Sequence, residues 1–244
     1  MSLTMLAILP SIILLVYIYK KDKKEKEPIK FLWSCFGFGV LTAIPACVLE
    51  MLESTVVDAV FTEGSIVYAI VDAFIVAALS EELFKYLFLR IKTWKSYEFN
   101  CMFDGVVYSV FVSLGFATME NILYVADGGI STAIFRMFTS VPGHMSFGVL
   151  MGYYYSYAKS CELWGNMDSA KKHKKRALLV PVLIHGIYDA LLSLEPDVVG
   201  EGLWILSMVL WFAFLIAMYI FTFRLVNKAS KNDHYFFETV SSQE

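Results

Sequence analysis

Seven apolar runs, each long enough to cross a bilayer as a helix, dominate the chain: residues 2–19, 31–49, 66–90, 103–125, 139–158, 177–194 and 203–226. Crossing the hydrocarbon core takes about 20 helical residues, and within that core only helices and closed barrels satisfy their own backbone polar groups. The pattern therefore predicts an all-α, polytopic membrane helix bundle of about seven transmembrane helices. Composition agrees, with 58% hydrophobic and 18% charged residues against roughly 45–50% and about 25% in soluble domains. The first run lacks the basic segment and small-residue cleavage site of a signal peptide and leads straight into Lys20 and Lys21, so it reads as a retained helix.

Charge placement gives an orientation, because short loops rich in Lys and Arg stay in the cytoplasm. Lys20, Lys21, Lys23, Lys24, Lys26 and Lys30 follow the first run; Arg90, Lys92 and Lys95 follow the third; Lys159 and Lys171 to Arg176 follow the fifth; Arg224, Lys228 and Lys231 follow the seventh. The alternate loops carry Glu53, Asp58 and Glu63, then Asp127, then Glu195, Asp197 and Glu201, with Arg136 the one basic residue on that side. The N-terminus is expected outside and the C-terminus in the cytoplasm. Topology accounts for these basic blocks, His173 and His234 fall in solvated segments, and a net charge of −3 excludes a general phosphate binder, so no nucleic acid is expected as a partner. The four cysteines show neither CxxC spacing nor a disulfide framework. With no repeat, long linker or appended soluble segment, residues 1–244 read as a single integral-membrane domain with its chemistry in a core of about 66–194.

Ionisable residues left inside apolar spans cost several kcal/mol and mark function. The third span holds Asp72, Glu81, Glu82 and Lys85; Lys85 is three and four residues from the two glutamates, so it can lie beside either, leaving the other without a local cation. The fourth holds an interfacial Asp104, then Phe116 one turn before Glu120, with Asn121 next. The fifth opens Pro142-Gly143-His144, and the sixth carries His185 and Asp189 at i,i+4, where the carboxylate can orient the imidazole. The seventh has no ionisable residue between Leu203 and Phe223 and reads as scaffold. Counting the helical rise from the span ends places Glu81 and His185 roughly 12–14 Å from the cytoplasmic end, Asp189 about 18 Å, and Glu120 and His144 roughly 23–25 Å, in two layers.

In order along the chain, Glu81-Glu82-x-x-Lys85, Phe116-x-x-x-Glu120-Asn121, Pro142-Gly143-His144 and His185-x-x-x-Asp189 resemble the motifs of the PrsW family of intramembrane proteases. The resemblance implies a multi-pass protein of a prokaryotic inner membrane that cleaves a membrane-anchored protein, in the founding type an anti-sigma factor of the envelope-stress response. It also implies kinship with the CAAX protease and bacteriocin-immunity group, which places histidine where Glu120 stands. The expected site is Glu81, Glu82, Glu120, His144, His185 and Asp189, with Lys85 and Asn121 supporting it.

Two mechanisms fit these residues. In one, Glu81 or Glu82 takes a proton from water while His185, oriented by Asp189, and His144 stabilise the oxyanion. In the other, His144, His185 and one glutamate, taken as Glu120 with Glu81 and Glu82 as alternatives, hold a catalytic zinc. No GxSxG or HExxH motif is present, and no cysteine shares an apolar run with a histidine. The rival function is a small ion- or proton-coupled transporter using Asp72, Glu81, Glu120 and Asp189, although the matching halves of such folds are missing.

Overall fold

The computed structural model describes residues 3–237. The chain forms α1 (Leu3–Lys21), α2 (Ile29–Val60), α3 (residues 66–93), α4 (Asp104–Phe138), α5 (Ser140–Leu163), α6 (Met167–Leu192), the single turn α7 (Pro196–Val199) and α8 (Glu201–Lys231). Each expected run corresponds to one of the seven long helices, and the architecture is an all-α membrane bundle. By length and apolar composition alone α1, α2, α8 and the continuous stretch Asp104–Leu163, which holds α4 and α5, qualify as membrane spans. The other two helices fall short because they carry charge: α3 holds Asp72, Glu81, Glu82 and Lys85, and the first turns of α6 hold Lys171 to Arg176.

Local chemistry starts several elements. Pro28 precedes α2, the Ser65 hydroxyl accepts from the Tyr68 amide at 3.1 Å, and the Asn166 side chain accepts from the Ser169 amide at 3.1 Å to open α6. α3 is composite, with a π-helical stretch over Asp72–Leu79 between α-helical Ile66–Val71 and Ser80–Thr93. Such widened turns re-aim the residues that follow them, and here those are Glu81 and Glu82.

Three loop assignments change. α2 continues to Val60, so Glu53 and Asp58 are helical rather than loop residues. Lys171 to Arg176 extend α6 by polar turns, leaving Trp164 to Asn166 as the connection. Arg136 lies on α4, beyond a sharp break at Gly129, whose φ of 70° and ψ of −153° suit only glycine. Beyond that break residues 130–138 fold back along the bundle. α5 also reaches Cys161, which therefore shares a helix with His144, although 17 residues, about 26 Å, separate them.

α4 and α5 form the centre, buried on nearly every face over residues 103–118 and 141–152, as a helix surrounded by other helices must be. Tyr108, Leu114, Met145, Val149 and Tyr155 anchor that core. α1, α2 and α8 turn large apolar residues outward, among them Ile13, Ile44 and Ile216. All four basic segments meet at one end: Asn100 reaches Glu25, the Phe103 amide reaches Asp233 at 2.8 Å, and the indole of Trp164 donates to the Phe236 carbonyl at 3.1 Å. Alternating passes through a membrane require that convergence.

Candidate active site

Lys85 is the hub of the site. It is fully buried, and its ammonium donates to Glu81 Oε2 at 2.9 Å and to Glu82 Oε1 at 2.8 Å and lies 3.1 Å from His144 Nδ1. Both glutamates thus share one cation, where the helical spacing allowed either. The ammonium also sits 4.0 Å from the centroid of the Phe116 ring, whose edge meets His144, so the phenylalanine of the FxxxE motif walls the cluster.

An ammonium can only donate, so His144 Nδ1 accepts and the ring proton sits on Nε2, which donates to Glu120 Oε2 at 2.8 Å. His185 has a carboxylate at each nitrogen, Glu82 Oε1 at 3.0 Å from Nδ1 and Asp189 Oδ2 at 3.1 Å from Nε2. Its ring stacks on Phe147 and stands edge-on to His144, with 5.4 Å between the two imidazole centroids. Gly186 makes room for the ring of Phe74 from the π-helical stretch: a Cβ there would lie 2.3 Å from Phe74 Cδ1.

The two expected layers are one cluster. Residues 130–138 descend about 13 Å into the bundle before α5 begins, so His144 starts well below the end of the molecule, and Glu120 lies about 12 Å below the same turn. Glu81, Glu120, His144, His185 and Asp189 line a cavity of about 420 Å³ together with Asp72 and Arg136. A second cavity, lined by Glu63, Tyr68 and Glu195, shares Asp72 and Ser193 with it and leads toward the end opposite the basic segments. Glu82 does not line the main cavity; it is fully buried, and its Oε2 lacks a hydrogen-bond partner. Asn121 stands apart from the reacting groups, donating to the Ala7 carbonyl at 2.8 Å and accepting from Arg136 at 3.0 Å.

The cluster has the chemistry to hold a metal. Glu81, His144 and His185 offer ligand atoms within 4.8 Å of one another, a spacing that an ion bonded at about 2.0–2.2 Å closes by small side-chain shifts. Two imidazoles and a carboxylate are a donor set of catalytic zinc. The lone pairs of Glu81 and His144 Nδ1 already converge on a cation, the Lys85 ammonium. Glu81, Glu82, Glu120 and Asp189, with Asp72 also at the cavity wall, outnumber the cations Lys85 and Arg136, a surplus of acidic groups that suits a divalent cation. In this geometry Glu120 falls outside the compact donor set, and Glu81 is inside it.

Comparison with known proteins agrees with the motif pattern. The sequence model described as PrsW family intramembrane metalloprotease matches residues 27–220. The chain belongs to the PrsW family. It is 36% identical over 214 residues to Protease PrsW of Geobacillus kaustophilus, covering 88% of this chain and 89% of that protein. Protease PrsW of Halalkalibacterium halodurans is 36% identical over 197 residues (79% and 84%), and that of Bacillus subtilis 33% over 224 residues (91% and 93%). No solved structure matches. As a PrsW family member the chain is a membrane protease, a peptide hydrolase of the prokaryotic cell membrane, and the transporter alternative gains no support.

Two contacts in this PrsW family protein escaped the motif reading. Arg136 pairs with Glu120 at 2.9 Å, and its signal in the sequence was its standing as the one basic residue on the acidic side. Ser80, next to the glutamate pair, donates to Glu53 of α2 at 2.6 Å; nothing in the spacing linked two residues 27 apart.

Proposed function

We propose that this PrsW family protease is an intramembrane endopeptidase that cuts a single-span, membrane-anchored protein, an anti-sigma factor being the substrate class the family resemblance implies. The observation that carries the proposal is the convergence of Glu81, His144 and His185, from three helices, on one cavity. In this reading these three hold zinc, which when bound acidifies water and polarises a carbonyl. Glu82 takes no proton, being sealed from the cavity; it anchors Lys85 and His185. Of the carboxylates that both line the cavity and pair with one of the two imidazoles, Glu120 is held by both Arg136 and His144, whereas Asp189 is held by His185 alone. Asp189 is therefore the group that accepts the proton of the attacking water and returns it to the leaving amine.

A helical peptide bond is shielded by its own backbone, so the substrate must unwind to enter. Two residues, Asp72 and Ser193, line both this cavity and the one toward the acidic end, which supports unwinding in the half of the bilayer away from the basic loops, the outer half by the charge bias.

Metal content of the detergent-purified protein, compared with a His144→Ala, His185→Ala double variant, tests the site, together with cleavage of a coexpressed single-span reporter. The expected result is about one zinc per chain in the wild type, loss of both zinc and cleavage in the double variant, and cut sites mapped by mass spectrometry to the outer half. Cleavage without metal would overturn the zinc assignment and leave Glu81, the cavity-lining member of the glutamate pair, as the base. Cut sites in the cytoplasmic half would overturn the proposed entry.

A further inference from the structure

The one basic residue that breaks the charge bias is also held on several sides at the cavity wall. Arg136 Nη2 is ion-paired with Glu120 Oε2 at 2.9 Å and donates to the Ser140 hydroxyl at 2.9 Å, and Nε donates to Asn121 Oδ1 at 3.0 Å. Its guanidinium carbon lies 4.0 Å from the centroid of the Tyr124 ring, and the side chain is 12% exposed. Asn121 is itself fixed to α1 through the Ala7 carbonyl. In an unbroken helix Arg136 would stand about 24 Å from Glu120, sixteen residues away. The reversal at Gly129 brings the two together.

We infer that Arg136 is a positioning residue for peptide hydrolysis, fixing Glu120 so that Glu120 holds the His144 ring. The inference rests on the reading of His144 as part of the hydrolytic site. Glu120 Oε2 receives the guanidinium on one side and the His144 Nε2 proton on the other, so the three side chains form one line running from the folded-back segment to the hub at Lys85. The carboxylate cannot rotate away from His144 without breaking its pair with Arg136, and the guanidinium cannot follow because Asn121, Ser140 and Tyr124 hold it on three further sides. His144 is thereby kept with Nε2 protonated and the Nδ1 lone pair turned toward Glu81 and Lys85. Lysine would supply the charge without the planar fork that grips Glu120 and Asn121 together. Partners that orient a working imidazole in this way act on turnover rather than on substrate binding.

The test measures kcat and KM for cleavage of a single-span reporter by the full-length protein in detergent, for wild type, Arg136→Gln, Arg136→Lys, Glu120→Gln and the double variant Arg136→Gln, Glu120→Gln. Arg136→Gln is expected to lower kcat about 10–100-fold with KM little changed, and Arg136→Lys to fall between it and wild type. The double variant is expected to be no slower than Glu120→Gln alone, since the arginine acts through that carboxylate. Wild-type kcat in Arg136→Gln, a raised KM with kcat intact, or losses that multiply in the double variant would each overturn the inference. Should Arg136→Gln fail to accumulate in the membrane, Arg136→Lys carries the same test, with reduced kcat at unchanged KM as support and wild-type kcat as refutation. A wild type that leaves the reporter intact would instead overturn the hydrolytic reading, and this inference with it.

Discussion

Lys85 shows what a single buried charge does in this protein. Its ammonium is sealed from solvent and hydrogen-bonded to Glu81 and Glu82, with His144 at its third side. Removing one partner of a buried ionic cluster leaves the others uncompensated, at a cost of about 3–5 kcal/mol. Lys85→Met is therefore expected to lower the melting temperature in detergent far more than Glu81→Gln, which leaves the ammonium paired with Glu82. Equal melting temperatures would mean that the site does not depend on Lys85 for its integrity. The EExxK spacing made the neighbourhood of these three residues legible in the sequence, because residues three and four apart share a helix face. Sharing of one ammonium by both carboxylates was not legible, since it depends on His144 closing the third side from another helix.

At the scale of elements, two irregularities set the site. The π-helical stretch Asp72–Leu79 packs Phe74 into the space left by Gly186 and delivers Glu81 and Glu82 to the bundle interior. The break at Gly129 creates a descending segment whose Thr132, Phe135, Arg136 and Thr139 line the cavity. Tyr219 of α8 clasps the base of that segment, its hydroxyl 2.9 Å from the Phe138 carbonyl and 2.7 Å from that of Thr139, so the helix without Asp, Glu, Lys, Arg or His in its span still supports the cavity wall. Holding alanine in the backbone conformation of Gly129 costs about 1–3 kcal/mol. Gly129→Ala is expected to displace residues 130–138 and reduce reporter cleavage at least tenfold while most of the protein remains folded, since the core at Tyr108, Leu114 and Met145 is remote from the turn. Unchanged cleavage would show that the descending segment is dispensable. Sequence periodicity treated this region as a loop because only nine residues of helix separate the glycine turn from α5, too few to register as a span.

Across the whole molecule, polarity divides into a reactive cluster within the bundle and a tied end where the basic segments meet. At that end Glu27, in the connection between α1 and α2, is buried, and its Oε2 lies 2.6 Å from the Tyr108 hydroxyl, which also lies 2.9 Å from the Glu98 carbonyl. The Tyr108 hydroxyl donates toward both the Glu27 carboxyl and the Glu98 carbonyl, and its single proton cannot serve both acceptors fully. Burial accordingly pushes the Glu27 carboxyl up from 4.5 to about 8, and the neighbouring Asp22 rises to about 6 for the same reason. An acid whose pKa is raised in the folded state stabilises the fold fully below its unfolded pKa and loses that contribution as pH climbs through the folded value. Wild type is expected to lose stability between about pH 4.5 and pH 8 relative to Glu27→Gln, which keeps the shape without the titration. The melting-temperature gap should favour the variant by the order of 5 °C at pH 9 and close near pH 4. A gap independent of pH would show that Glu27 is ionised throughout.

What the sequence determined by itself follows from constraints that act along the chain. Apolar run length sets the number of passes, because a bilayer admits only helices of that length. Alternation of basic and acidic loops sets which ends meet, and helical spacing within EExxK and HxxxD sets which neighbours share a face. Only tertiary structure decided the rest. Glu81, His144 and His185 come from three helices whose rotations depend on packing around Phe74 and Gly186. Arg136 reached Glu120 through a reversal that one glycine permits but does not require. Local propensity fixes what each segment can form, whereas the rotation and depth of one helix against another are fixed by contacts between residues far apart in sequence, which no window along the chain contains.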